Sequence, residues 1–286
     1  MKVAIIGAGL AGLACATRLA EAGHAVVVYD KGRVPGGWLA ARTMETDHGV
    51  VSFDYGAQYF TARDPGFRAQ ADRWAKDGVV APWPAAGNDA WVGTPHMSAP
   101  ALALADNLDV HSLFRAEALR RDKLAWLVAA AHCDAGPFDS VVLALPAEQA
   151  RTLIMPWDAA PGGVAARVPS EPCWTVMATF VDRVPITEDA VRGRGILDWA
   201  ARNSSKPGRS GSESWVMHAT AEWSRLHLEE APDAIGPHLL CALTEIAGSG
   251  PAGSDRGRGT SMALCSVRPI RSLFGMEQRN EHRPLR

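Results

Sequence analysis

The sequence lacks the long apolar runs of a membrane protein. No stretch approaches the roughly 20 residues that a spanning helix needs, so no membrane association is expected. An excess of one charge is also missing. The net charge of -2 gives no electrostatic basis for binding nucleic acid or an anionic surface. Cysteine is sparse. Cys15, Cys133, Cys173, Cys241 and Cys265 are odd in number and far apart, with no C-x-x-C and no His/Cys cluster. That spacing offers neither a disulfide framework nor a zinc site, and it suits a reducing, cytoplasmic compartment. No metal is expected. Tyrosine is scarce too, three against ten tryptophans. The tryptophans either pack the core or line an aromatic pocket.

What remains is ordinary for a globular chain. The 286 residues are 47% hydrophobic and 21% charged, enough for two lobes.

The informative stretch comes first. Lys2-Val3-Ala4-Ile5-Ile6 is a short apolar run, read as a buried strand of a parallel sheet. Gly7-Ala8-Gly9-Leu10-Ala11-Gly12 follows with G-x-G-x-x-G spacing. A helix from Leu13 to Ala22 ends at Gly23, a second strand covers Ala25 to Tyr29, and Asp30 closes it. Strand, glycine turn, helix, strand and acid stand in the order a dinucleotide site needs. Gly7 permits the tight turn, Gly9 lets a pyrophosphate approach the backbone, and Gly12 lets the helix pack on the sheet. The helix N-terminus supplies free N–H groups for phosphate, and Leu10 and Ala11 in the turn before it are expected at the cofactor. Asp30 is placed to accept from ribose hydroxyls. A secretory signal is the rival reading of these residues. Three glycines interrupt the apolar run, and Arg18 and Glu21 fall within the helix, which argues against it.

Asp30-Lys31-Gly32-Arg33-Val34-Pro35-Gly36-Gly37 follows. An acid followed by a basic, glycine-rich loop resembles the second fingerprint of flavoproteins of the glutathione-reductase and amine-oxidase type. That resemblance implies FAD, with Lys31, Arg33 and Gly37 near its pyrophosphate.

Further along, Phe53 to Arg63 is aromatic and contains glycine, so Gly56, Ala57, Gln58 and Tyr59 can approach a flat ligand. Asp64 is a plausible N-cap and Pro65 a first-turn residue of a helix closed by Gly78. His96, in a loop leading to a helix through Leu104, is a candidate catalytic or merely solvated histidine. Val110 to Ala131 reads as short strands, Phe138 to Pro146 as one buried strand, and Ala147 to Ile154 as a helix. Trp174–Phe180, Ile196–Asn203 and Ser214–Ala219 read as strands of an antiparallel sheet, with a polar loop over Ser204–Ser212. From Asp233, Ile235, Leu239, Leu243 and Ile246 form one helical stripe.

Phe53–Arg63, Trp91–Ala99, Leu197–Pro207 and Ser214–Arg225 together resemble bacterial renalases, FAD-dependent relatives of the flavin amine oxidases. The resemblance runs from Met1 to about Ile246. It implies an α/β architecture: a Rossmann-like FAD-binding domain of the glutathione-reductase/amine-oxidase type, with a second α+β substrate domain holding an antiparallel sheet. The expected division is 1–62 and 106–155 for the FAD domain, 63–105 and 156–247 for the substrate domain, and 248–286 as an atypical, disordered tail. The implied activity is oxidation of isomeric dihydronicotinamides, forms of NAD(P)H reduced at the wrong ring position, with oxygen as acceptor and hydrogen peroxide as product. Hydride transfer to flavin needs a stacked, oriented ring rather than a base. Tyr59, Trp199 and His218 are the pocket candidates, with core packing the alternative for each. Flavin amine oxidation and an inactive, truncated relative are the alternative functions. A plain NAD-dependent dehydrogenase leaves the loop after Asp30 unexplained.

Two departures stand out. The family's second loop runs Gly-Gly-Arg, whereas Trp38 follows Gly36-Gly37 here, and a bulky ring is expected to weaken FAD binding unless Arg33 or Arg42 compensates. After Gly248 the resemblance ends. The family's ending carries His-Arg-Trp-Arg-Tyr-Ala, a Gly-Asp-Trp motif and a long helix. Thr260 to Ser266 can be encoded so that the next reading frame spells that first stretch, and Met262-Ala263 forces its tryptophan, because ATG followed by G contains TGG. A frameshift is the expectation, and with it an unpaired strand in the sheet.

Overall fold

The computed structural model describes residues 1–46, 49–209 and 211–248, together with the backbone of 262–270. Two compact units emerge. Among the described residues, Met1–Ala40 and Pro100–Ser170 form one; Ala41–Ala99 and the chain from Glu171 form the other.

The first unit is built on a four-stranded parallel sheet. Its order is Ser140–Leu143, Lys2–Ile6, Ala25–Tyr29 and Asp109–His111. Val3, Ala4, Ile5 and Ile6 are all buried, as an unalternating apolar run predicts for a strand covered on both faces. Helix Leu10–Glu21 buries Leu13 and Ala16 and joins the first two strands. A three-stranded antiparallel sheet, Ala118–Asp122, Ala125–Ala129 and Asp134–Phe138, adds Leu119, Val128 and Phe138 to the same core.

The single strand expected over Phe138–Pro146 is corrected to two. Asp139 breaks it: its N–H donates to Lys2 O at 2.9 Å, and its carboxylate accepts from Lys2 N at 2.7 Å. Phe138 therefore ends an antiparallel strand, and Ser140 opens a parallel one. Helix Ala147–Ile154 follows over the residues expected.

The second unit carries a five-stranded antiparallel sheet. Its order is Ala190–Arg194, Leu197–Arg202, Glu213–Ala219, Cys173–Phe180 and Met262–Ile270. Helix Pro232–Gly248 lays Ile235, Leu239 and Leu243 against Trp174, Phe180 and Trp215. Each such apolar side chain contributes about 1.5–3 kcal/mol by burial. Helix Pro65–Lys76 starts as expected, with the Asp64 carboxylate accepting from Phe67 N at 2.9 Å. A hairpin, Arg42–Thr46 with Gly49–Phe53, has no counterpart in the sequence reading. Its Val51 and Phe53 pack with Met177 and Val216. That packing puts the first unit boundary at Ala40, earlier than residue 62.

The tail also differs from expectation. Met262–Ile270 is a strand, not disorder, running antiparallel to Cys173–Phe180 from Phe180↔Met262 to Cys173↔Ile270. Ladder pairing satisfies main-chain groups whatever the side chains, so this edge gains the partner expected to be missing. The rest of the expected tail, 249–261 and 271–286, lies outside the described residues.

Candidate functional site

In the first unit the glycine turn is fixed from two sides. Gly7 N donates to Tyr29 O at 2.8 Å. At Gly7, with φ of +110°, a Cβ would stand 2.3 Å from Ala144 O; at Gly12 it would stand 2.0 Å from Gly7 O. Both positions are glycine because the protein packs against itself there. Gly9 is different. A Cβ there meets only Gly37 Cα, at 4.0 Å, which leaves room for something outside the protein. Helix Leu10–Glu21 starts without a side-chain cap, and Leu13 N is bonded to Gly9 O. The N–H groups ahead of it, including those of Leu10 and Ala11, have no helical acceptor. Open backbone and the positive end of a helix fit a dinucleotide pyrophosphate.

The second loop folds back on this turn. Gly36 N donates to Ala8 O at 2.9 Å, Gly9 and Gly36 form a bridge, and a Cβ at Gly37 would lie 3.1 Å from Gly9 Cα. Asp30 ties the loops together: Oδ2 accepts from Ala8 N and Oδ1 from Gly32 N, both at 2.7 Å. Each oxygen keeps a lone pair for another donor. Lys31 is half-buried and Arg33 exposed. Trp38 lies on the turn Gly37–Leu39 and is 60% exposed, so its bulk is not packed into the space at Gly9.

In the second unit a buried ionic cluster escaped the sequence reading. Asp54 is 1% exposed and Lys206 2%. Lys206 Nζ lies 3.1 Å from Asp54 Oδ2 and donates to Gln58 Oε1 at 3.0 Å; Arg209 pairs with the same Asp54 oxygen. Asp54 Oδ1 accepts from Met97 N at 2.9 Å. Burial alone would raise the Asp54 pKa, but Lys206 and Arg209 beside it hold the carboxyl below its usual range. Burial lowers the Lys206 pKa to about 8, against the pull of Asp54. Lys206 belongs to the loop expected to be merely polar. An aspartate within the aromatic run Phe53–Tyr55 was the available signal, since a charge there needs a buried partner.

The cluster shapes its surroundings. Gln58 Nε2 donates to Asp54 O and to Gly56 O, the latter at 3.2 Å. Gln58, expected to touch the cofactor, thus holds its own loop. His96 stands beside the cluster, and its buried Nδ1 has no hydrogen-bond partner among the described residues. Burial lowers its pKa, with Asp54 opposing and Arg209 adding.

A recess of about 540 Å³ in the same unit gathers Gly56, Ala57, Gln58 and Tyr59 with Trp199 and His218; Arg192, Gly193 and Asp198 complete its lining. Trp199 and His218 are directly paired across adjacent antiparallel strands, which sets their side chains on one face. Tyr59 and Trp199 rings lie 5.4 Å apart at 31°. The Arg192 guanidinium sits 4.4 Å from the Trp199 ring centroid and donates to Tyr59 OH and Ala86 O, both at 2.9 Å. Trp199 is 7% exposed, and its Nε1 is buried with no hydrogen-bond partner among the described residues. His218 Nε2 is 3.0 Å from Tyr55 O. Burial lowers the His218 pKa to about 4, so the ring is neutral and Nε2 carries the proton toward that carbonyl. The three pocket candidates therefore share one recess; His96 does not line it.

Among the described residues, no group of histidines, cysteines and acids is placed to hold a metal, and no helix is long and apolar enough to cross a membrane.

Residues 5–74 match the NAD(P)-binding Rossmann-like domain family. A 15-cis-phytoene desaturase of Synechococcus elongatus is 61% identical over 41 residues. That match covers 14% of this chain and 9% of the desaturase, so the chain corresponds to a small part of that relative's length. Solved structures extend further. A candidate protoporphyrinogen oxidase from Exiguobacterium sp. 255-15 superposes with a TM-score of 0.69 at 11% identity, covering 92% of this chain and 86% of its own. Cyclohexylamine oxidase from Brevibacterium oxydans IH-35A gives 0.63 at 13%, covering 88% and 83%. At such identities the likeness is one of fold. The chain has an α/β fold similar to that of these oxidases, with a Rossmann-like parallel sheet in one unit and antiparallel sheets in the other.

Proposed function

We propose that this chain is an FAD-dependent oxidoreductase of renalase type, which oxidises isomeric dihydronicotinamides to NAD(P)+. The observation that carries the reading is the recess: flat aromatic surface from Tyr59 and Trp199 beside a histidine that is neutral at physiological pH. Orienting a flat, uncharged ring is what hydride removal needs from a protein. The Gly9 turn and the uncapped helix hold the pyrophosphate, with Asp30 toward the ribose. FAD held there would supply the two-electron acceptor for the hydride, and its reoxidation by dioxygen, with one proton from water, would give hydrogen peroxide. The free thiols Cys15, Cys133, Cys173 and Cys241 suit a reducing, cytoplasmic setting.

Amine oxidation is the second reading, favoured by Asp198 in the recess. The contact of the Tyr59 and Trp199 rings, with the Arg192 cation over them, works against an ammonium-bearing substrate. An inactive relative with a frame-shifted ending is the third. The gene's nucleotide sequence tests it: a shifted frame that soon meets a stop codon removes that idea.

The assay is oxygen-dependent turnover of isomeric NADH by the FAD-loaded protein. One hydrogen peroxide per NAD+ supports the reading. Peroxide from amines, with none from any dihydronicotinamide, overturns it.

A further inference from the structure

The Lys206 ammonium lies wholly inside the second unit, its side chain 0% exposed. An ammonium has three N–H donors and no acceptor. Lys206 Nζ donates to Asp54 Oδ2 at 3.1 Å and to Gln58 Oε1 at 3.0 Å. It also lies 5.4 Å from the centroid of the Trp83 ring, which in turn meets the Trp199 ring edge-on at 6.4 Å. Gln58 is 5% exposed and lines the recess with Gly56, Ala57 and Tyr59. Its amide faces two ways. Oε1 meets Lys206, while Nε2 donates to the main-chain oxygens of Asp54 and Gly56. A flipped amide would set its NH2 against the ammonium and its oxygen against two carbonyls. A donor-only neighbour therefore dictates which way the amide points, and the amide ties down the chain from Asp54 to Gln58.

We propose that Lys206 is a positioning residue for the recess: its charged ammonium locks the Gln58 amide, and the amide holds the Gly56–Tyr59 wall in its ligand-binding shape. The inference rests on reading the recess as the ligand site. Deprotonation undoes the lock. A neutral amine carries a lone pair and can accept from Nε2, so both amide orientations become allowed, and its bonds lose their charge assistance. Burial lowers the Lys206 pKa to about 8 from 10.5, with Asp54 opposing and Arg209 adding. The lock is thus present below about pH 8 and lost above it. Its charged and titratable neighbours hold their states there. Asp54 is kept below the usual carboxylate range, His96 below its ordinary value, and His218 is neutral above about pH 4; the arginine cation at Arg209 is permanent. Between about 8 and 10.5 the unfolded chain binds more protons, so this titration adds stability as pH rises. Weaker binding above pH 8 is therefore not a sign of unfolding.

The test follows the Gln58 side-chain NH2 signal of the whole chain, assigned by its loss in Gln58→Met, in nitrogen–proton correlation spectra from well below to well above pH 8. The expected result is a shift of that signal with a midpoint near pH 8. Affinity for nicotinamide mononucleotide, the probe of the recess, falls at least about threefold over the same range. Lys206→Arg keeps a donor-only cation, and there both signal and affinity are expected to ignore this range. A Gln58 signal that stays still around pH 8 in the unaltered chain overturns the proposal without any variant, as does an identical titration in Lys206→Arg. Affinity that stays level while the signal moves, or no binding at any pH, overturns it too. Flavin reduction keeps the two ideas apart. Turnover of isomeric NADH by the FAD-loaded chain, with a static Gln58 signal, sinks the positioning role and keeps the oxidase. A moving signal with pH-dependent binding, and no flavin reduced by any dihydronicotinamide, keeps the positioning role and sinks the oxidase.

Discussion

The glycine turn of the first unit and the recess of the second are built on opposite principles. The turn is made of backbone. Its donors are main-chain N–H groups, and its shape depends on missing side chains at Gly7 and Gly12. The recess is made of side chains from distant parts of the chain: Tyr59 from one segment, Trp199 and His218 from neighbouring strands. Beside it, Asp54 and Lys206 meet across 152 residues. Local chemistry fixes the first site, and long-range packing fixes the second.

Substitutions sharpen this contrast. The largest effect is expected at Asp54→Ala, which leaves Lys206 buried without its counter-ion. Loss of one partner of a buried pair costs about 3–5 kcal/mol, measured by denaturant unfolding. Gly12→Ala comes next, because its Cβ would press within 2.0 Å of Gly7 O; overpacking of this kind costs about 1–3 kcal/mol.

The third effect depends on pH. The folded-state pKa of His218 is about 4, below its ordinary 6.5. Between those values the unfolded chain binds more protons, so stability rises with pH and is lost as pH falls from 6.5 toward 4. The slope is at most about 1.4 kcal/mol per pH unit, and His218→Gln removes its share, read from midpoints at several pH values. Gly9→Ala is the smallest for the fold. Its Cβ meets only Gly37 Cα at 4.0 Å, so stability changes by no more than about 1 kcal/mol. FAD affinity nonetheless falls at least about tenfold. If Gly9→Ala unfolds the protein while Gly12→Ala does not, the division of labour among the glycines is wrong.

The same contrast explains what could be read in advance. Strand, turn, helix and strand from Lys2 to Tyr29 follow from neighbours in sequence, as do the Asp64 cap and the helix Ala147–Ile154. The stripe Ile235, Leu239 and Leu243 was legible for the same reason. The hairpin Arg42–Phe53 and the ionic cluster were not, because each depends on packing far along the chain. Lys206 in a Ser- and Gly-rich loop looks solvated until Asp54 and Gln58 are beside it. The division at Asp139 turns on a bond to Lys2, 137 residues away. The edge strand Met262–Ile270 was hidden for another reason. Its place is set by the open ladder of Cys173–Phe180 rather than by a pattern of its own.

The most direct test of the central claim is an anaerobic absorption spectrum of the purified chain supplied with FAD. The account predicts protein-bound flavin bands that bleach on adding isomeric NADH and return on admitting air. A protein that stays colourless and takes up no FAD, or whose flavin is untouched by every dihydronicotinamide isomer, would contradict it.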